Sequence, residues 1–312
     1  MIQSQCIHRP RARALLSAAA IWVGAIACAT SSPADRGATT VVSAHRGTLY
    51  IVGGGPQPPA LVKEFVDLAG GAGRARIVLF AMASLEGLTG GEEKAKDLRA
   101  LGAHATNVYV THEQANTDSV VRLLDGATAV WFGGGDQTRL TTALRGTKTG
   151  SALGRLYDSG AVMGGTSAGA AVMSEIMITG DERKVGGDRP PADSSATFLT
   201  ISRDNIVVDT GFSYLSGAIV DQHFVRRKRH NRLISLVLEK PVRLGVGVDE
   251  STALIVEPDG RWRVAGASVV VIYDARRSTV TQGSTLGATD VRMHVLPAGS
   301  RFDPKKGTAT LP

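Results

Sequence analysis

Ser167 sits at the centre of Gly165-Thr-Ser-Ala-Gly169, directly after the apolar run Ala161-Val-Met163. A G-x-S-x-G stretch between a strand and a helix is the setting of a nucleophile elbow, where small neighbours let a strained serine stand clear of the sheet. The N–H groups and dipole at the start of the following helix suit a developing oxyanion. The same pattern also describes a tight strand-to-helix turn with an incidental serine. The choice depends on what the chain can place around Ser167.

A serine hydroxyl needs a base, and the base is usually oriented by an acid. Beyond the N-terminal apolar run the chain offers His45, His104, His112, His223, His230 and His294. His223 ends the apolar stretch Ala218-Ile-Val-Asp-Gln-His-Phe224 and precedes a basic helix. The carboxyl ends of strands are where a parallel sheet builds its site, which favours His223 as the base. Asp249-Glu250 follows Leu244-Gly-Val-Gly-Val248 at another strand end. Adjacent side chains alternate in direction, so one of the two acids can easily reach His223, and composition does not say which. Gly133-Gly-Gly-Asp-Gln137 is a second glycine-rich strand end. The N–H groups of Gly134 and Gly135, with that of Ala168, can form an oxyanion hole. Gln137 is then placed to touch substrate.

Other chemistries fit less well. Neither glycine run is a dinucleotide loop, because Pro58 and Thr138 stand where the third glycine belongs. His104/His112 and His223/His230 have poor spacing for helical metal pairs, so no metal or other cofactor is expected. Arg226-Arg-Lys-Arg229 with Arg232 is a basic cluster. With no aromatic-rich stretch or zinc spacing beside it, it does not argue for nucleic acid. Its plain alternative is the exposed first turn of a helix.

The elements that must position these residues alternate. Strands are expected at 47–52, 76–82, 104–110, 129–132 and 161–165. Helical stretches fall at 59–69, near 92–101, at 118–124, and near Leu140 and Leu153. Short apolar strands alternating with helices indicate right-handed βαβ units, hence an α/β fold with a doubly wound, mostly parallel sheet. Residues 180–196 are polar and rich in Gly and Pro and read as a mobile loop. From Arg243 the chain is strand-rich, an antiparallel extension.

The first residues are a separate object. Arg9, Arg11 and Arg13 precede a short alanine-rich apolar run, Leu15–Ala27, the layout of a secretory signal over residues 1–28. Cys28 resembles a lipobox cysteine, with plain cleavage near Ala27 or Ala29 as the alternative. Residues 29–46 read as a linker and 47–312 as one domain. The expected location is therefore outside the cytoplasm: periplasmic, extracellular or lipid-anchored, with membrane contact only through that anchor. The formal charge of +7 falls to about +4 once residues 1–27 are set aside. Cys6 and Cys28 are the only cysteines, so the domain has no disulfide or thiol chemistry.

Taken together, GGTSAGAAVM (164–173), GGGDQ (133–137), DQHF with Arg227, Arg229 and Arg232 (221–233) and GVGVDESTAL (245–254) resemble cyanophycinase and its relatives in the S51 serine peptidases. The likeness spans roughly residues 47–280. It implies a flavodoxin-like, glutamine-amidotransferase-like fold and a Ser–His–Glu triad of Ser167, His223 and Glu250. It further implies that Gln137, Asp221, Gln222, Arg227, Arg229 and Arg232 contact or shape the substrate site, and that the protein is a homodimer. Cyanophycinases release β-aspartyl-arginine dipeptides from a poly-aspartate polymer, and guanidinium groups suit its carboxylates. The implied substrate is thus an acidic or β-aspartyl peptide. The chain departs from the family at Pro56-Gln-Pro-Pro59, where an acidic, lysine-containing run is usual. An aspartyl dipeptidase-like peptidase, or a non-catalytic envelope binding protein on the same fold, are the competing readings.

Overall fold

The computed structural model describes residues 47–183 and 200–312. The expected signal and linker, and most of the polar loop, lie outside the described residues. The chain runs β1 (Thr48–Val52), α1 (Pro59–Leu68), β2 (Arg76–Phe80), α2 (Gly87–Ala100), β3 (His104–Val108), α3 (His112–Ala115), α4 (Asp118–Val121), β4 (Ala129–Phe132), α5 (Gln137–Leu144), α6 (Lys148–Asp158), β5 (Val162–Thr166) and α7 (Ala168–Ala171). It continues β6 (Ile176–Glu182), β7 (Ile206–Thr210), β8 (Ala218–Gln222), α8 (His230–Glu239), β9 (Leu244–Val248), β10 (Thr252–Val256), β11 (Trp262–Gly266) and β12 (Val269–Asp274). Short strands β13 (Thr279–Val280), β14 (Ala288–Thr289), β15 (Arg292–Pro297), β16 (Arg301–Asp303) and β17 (Thr308–Thr310) close it.

The expected parallel strands form the order β1-β5-β4-β2-β3. β10, β11, β16 and β17 extend this large sheet from β1 with antiparallel pairing. Both faces are covered around the central strands, and β1, β2, β4 and β5 are accordingly near-continuous buried runs, while the edge strand β3 alternates. α1 and α2 pack on one face through Leu61, Phe65, Ala95 and Leu98, against Tyr50, Leu79 and Trp131. α5, α6 and α7 pack on the other, through Leu140, Leu144, Leu153 and Ala170 against Leu49, Phe80 and Phe132.

One feature of the architecture departs from the sequence reading. β8, β9, β12 and β15 leave the large sheet and form a second one, ordered β15-β12-β9-β8. Its side chains alternate: Val220, Val246, Val248 and Ile272 join the core behind α7, while Ile219, Val271 and Tyr273 face Leu233 and Val237 of α8. The loop expected from residue 180 also starts later, since β6 continues to Glu182 and pairs with β7. Among the described residues no helix is long and apolar enough to cross a membrane.

Candidate active site

Ser167 follows β5 with φ 54° and ψ −111°, a conformation rare for a residue with a side chain. Its N–H donates to Val52 O of neighbouring β1 at 3.0 Å, which fixes the turn against the sheet. The following helix α7 has four residues, so the expected macrodipole is short. What remains is the local N–H of Ala168. His223 follows β8 at φ 48°, and its N–H donates to Gly53 O at 2.6 Å. Two side-chain-bearing residues in the left-handed region at one site indicate backbone strain held by the surrounding packing.

The side chains meet in a line. His223 Nε2 lies 2.9 Å from Ser167 Oγ, and His223 Nδ1 lies 2.6 Å from Glu250 Oε1. Glu250 occupies the link between β9 of the small sheet and β10 of the large one. The glycines after β1 form the floor of this line. A Cβ on Gly54 would lie 2.3 Å from His223 Cε1, and one on Gly55 would lie 2.8 Å from Glu250 Cβ. These glycines are thus backing for the imidazole and its carboxylate, a role the sequence reading did not assign.

Asp249 is accounted for differently. It is buried, and its Oδ1 accepts from the N–H groups of Val225 and Arg226 at 3.0 and 2.9 Å. Ser268 Oγ donates to its Oδ2 at 2.7 Å. Asp249 therefore pins the backbone just after His223, while Glu250 meets the ring. Burial pushes the His223 pKa below the ordinary 6.5, helped by Arg227 and Arg229 and opposed by Glu250. The imidazole is neutral at neutral pH, able to accept a proton from the serine.

The residues expected to touch substrate divide. Arg232 is buried and donates from Nε to Asp221 Oδ2 at 2.7 Å and from Nη2 to Oδ1. Asp221 is likewise buried, so this pair ties α8 to β8 and does not line a substrate wall. Gln137 is buried, and its Nε2 donates to Ile178 O and Thr179 O at 2.7 and 2.6 Å, anchoring β6. Arg229 caps the start of α8, buried, with Nη1 donating to Gln222 O and Oε1. Burial first, then Arg232, lowers its pKa to about 9. Asp221 thus serves two buried guanidiniums, leaving excess positive charge under His223. Arg227 is half-buried, with no ion pair among the described residues. Of the trio it alone is not buried. α8 begins only at His230, so Arg227 and Arg229 precede the helix and Arg232 alone lies within it.

Beside Ser167 runs the second glycine-rich segment. A Cβ on Gly134 would lie 3.5 Å from Ser167 Cβ, so its backbone flanks that serine. Gly135 takes φ 136°, and Asp136 N–H donates to Ala83 O at 3.0 Å, holding the segment in place. Gly134 and Thr166 also line a cavity of about 320 Å³, together with Gln57, Ser84, Lys94 and Trp131. The lining comes from separate elements, so no short stretch of sequence shows this cavity.

The profile of Peptidase family S51 matches residues 50–262. The chain belongs to peptidase family S51. The matched span contains Ser167, His223 and Glu250. Over 251 residues the chain is 33% identical to the cyanophycinase of a Nostoc species, covering 78% of this chain and 79% of that one. Over 273 residues it is 30% identical to the cyanophycinase of Synechococcus elongatus, covering 84% and 80% respectively. Among solved structures, a peptidase from an acI-B1 Actinobacterium superposes with a TM-score of 0.60 at 21% identity, over 83% of this chain and 97% of that one. The S51 resemblance and the α/β fold read from the sequence are both borne out.

Proposed function

We propose that the protein is a serine peptidase of cyanophycinase type that cleaves peptides bearing β-linked aspartate. The observation that carries this reading is the unbroken line from Ser167 Oγ through His223 to Glu250. In the reaction Ser167 Oγ attacks the scissile carbonyl carbon while His223 Nε2 takes its proton. Glu250 holds the ring by Nδ1 and stabilises the imidazolium. The N–H groups of Ala168, Gly134 and Gly135 receive the oxyanion. His223 then hands the proton to the leaving amine, and water releases the acyl group by the reverse route.

The cationic surroundings support an anionic substrate. Arg227 and the excess charge of Arg229 lie beside the imidazole, and both cyanophycinase relatives match across most of this chain. Their names suggest cyanophycin as substrate, and the family resemblance implies β-aspartyl-arginine dipeptides as products. The N-terminal segment supports export, so that substrate would be met outside the cytoplasm. Retention in membranes that is lost in Cys28→Ala would support a lipid anchor.

The test is a fluorophosphonate probe followed by adduct mapping, run beside a panel of cyanophycin, β-Asp-Arg, β-Asp-Lys and α-linked Asp peptides. The expected outcome is an adduct on Ser167 and cleavage beside β-linked aspartate. An unlabelled Ser167 would overturn the peptidase reading. Labelling without any β-aspartyl cleavage would overturn the specificity alone.

A further inference from the structure

The cavity beside Ser167 lies at a distinctive place in the sheet. After β2 the chain crosses to α2 on one face, and after β4 it crosses to α5 on the other. β2 and β4 are neighbours, so this is the topological switch point of the parallel sheet, where α/β proteins bind ligands. The cavity opens over the carboxyl ends of these two strands, with Leu79 and Trp131 at its base and α2 along one side. On α2 a Cβ at Gly90 would meet nothing within 4 Å, so that wall carries no obstructing side chain.

Lys94 supplies the one cationic side chain of the lining. Its Nζ lies 5.0 Å over the Trp131 ring and donates to Gln57 Oε1 at 2.7 Å. No carboxylate pairs with it among the described residues, in contrast to Arg232, which Asp221 neutralises. Burial lowers its pKa to about 8, with Asp97 acting weakly the other way. A neutral amide and a ring face leave most of the ammonium charge unbalanced next to empty space. An anion entering that space gains a desolvated partner at no cost in broken ion pairs.

Ser167 ends β5, between β1 and β4. His223 reaches it over the glycines that follow β1, and the cavity opens on the β4 side. Because the imidazole must reach the leaving amine, the cavity falls to the part of the substrate that stays on the serine. We propose that this cavity is a carboxylate-binding subsite for the acyl half of the substrate, with Lys94 as its specificity-determining cation and Gln57 holding the ammonium in place. The subsite deepens the peptidase reading above and rests on it for the meaning of the acyl half. Which carboxylate is free on the acyl half depends on the bond cut. Backbone cleavage puts the aspartyl α-carbonyl on Ser167 and leaves the arginyl carboxylate free, whereas cleavage of the β-amide leaves the aspartyl α-carboxylate free.

The experiment measures binding, not turnover. β-Asp-Arg, its aspartyl α-amide and its arginine amide are titrated by calorimetry into the Ser167→Ala protein. One of the two amides is expected to bind about ten- to a hundredfold more weakly than the parent, which identifies the carboxylate used. That discrimination should vanish in Ser167→Ala/Lys94→Met and persist in Ser167→Ala/Lys94→Arg. Methionine keeps an unbranched stem over Trp131, and melting curves of both double variants check folding. Absence of dipeptide binding, equal affinity for all three peptides, or discrimination that survives Lys94→Met would each overturn the subsite. A wild-type protein that fails fluorophosphonate labelling loses the peptidase reading but leaves this binding result standing.

Discussion

Replacing Arg232 by alanine separates two roles that the basic cluster can have. If Arg232 lined a substrate wall, Arg232→Ala would leave the melting temperature alone and weaken acidic substrates by about ten- to a hundredfold. The structure points elsewhere. Arg232 is 3% exposed and Asp221 is 1% exposed, and the two share a bidentate contact. Removing the guanidinium leaves Asp221 with the Gln222 N–H at 2.8 Å and, as its remaining cation, Arg229, whose Nη1 is 3.7 Å from Oδ1. Breaking one side of such a buried pair costs about 3–5 kcal/mol. For a domain of this size each kcal/mol corresponds to about 2–4 °C, so the melting temperature should fall by roughly 6–20 °C. Scanning calorimetry of Arg232→Ala beside Arg227→Ala measures this directly, because the half-buried Arg227 should change stability by no more than about 0.5 kcal/mol. Arg232→Met with Asp221→Leu should recover part of the loss, limited by the charge left on buried Arg229. An Arg232→Ala protein that melts within about 2 °C of wild type, and loses acidic substrates selectively, would refute the reasoning.

Three further outcomes are expected. Ser167→Ala and His223→Ala should each lower kcat by on the order of 10⁴-fold or more, measured on any cleaved peptide, while Glu250→Gln should retain more activity because it still holds the ring. The acidic limb of kcat/KM should lie below pH 6.5, since activity needs neutral His223 and its pKa is depressed. Arg227→Ala removes one of the charges that depress it and should move that limb towards higher pH. Asp249→Asn can still accept the Val225 and Arg226 N–H groups and should cost little. Asp249→Ala should lower kcat more than it raises KM, because the His223 turn loses its anchor.

Ser167 and the strands around it were legible because each signal is local: an apolar run, small residues, then a turn. Choosing Glu250 over Asp249 needed the resemblance, since neighbouring acids in sequence carry no mark of direction. The hydrogen bonds of Asp249 to Val225, Arg226 and Ser268 join residues far apart in the chain. The pairing of Arg232 with Asp221 was misread for a related reason. It depends on α8 lying across β8, and basic residues near a helix start look alike whether they face water or a buried acid. The division into two sheets was hidden because β9 is as continuously apolar as any strand of the large sheet. Its Gly247, where a Cβ would collide with the Phe224 ring at 2.3 Å, is no mark either, because a Cβ on Gly164 of β5 would meet the Phe65 ring at 2.5 Å in the same way. α2 begins at Gly87, ahead of the expected Glu92, because Gly-Leu-Thr-Gly-Gly is a weak helix former held by its tertiary setting. Lys94, Gln57 and Trp131 come from three separate elements, and no short window of sequence shows them together.

The division between sheets also makes the serine–histidine contact a gauge of alignment. Ser167 rides on the large sheet and His223 on the small one, with Glu250 on the strap between them. A slide of one sheet over the other by a single ångström would stretch the 2.9 Å contact beyond hydrogen-bonding reach, though every strand stayed paired within its own sheet. Nucleophilicity at Ser167 would then vanish in a molecule whose secondary structure is intact. On heating or in denaturant, reactivity towards a serine probe should therefore fade before the circular dichroism signal does. The side chains that hold the alignment are Val220, Val246, Val248 and Ile272, which share one core with Leu49 and Leu254 of the large sheet. None of them touches the chemistry, yet trimming them would detune it.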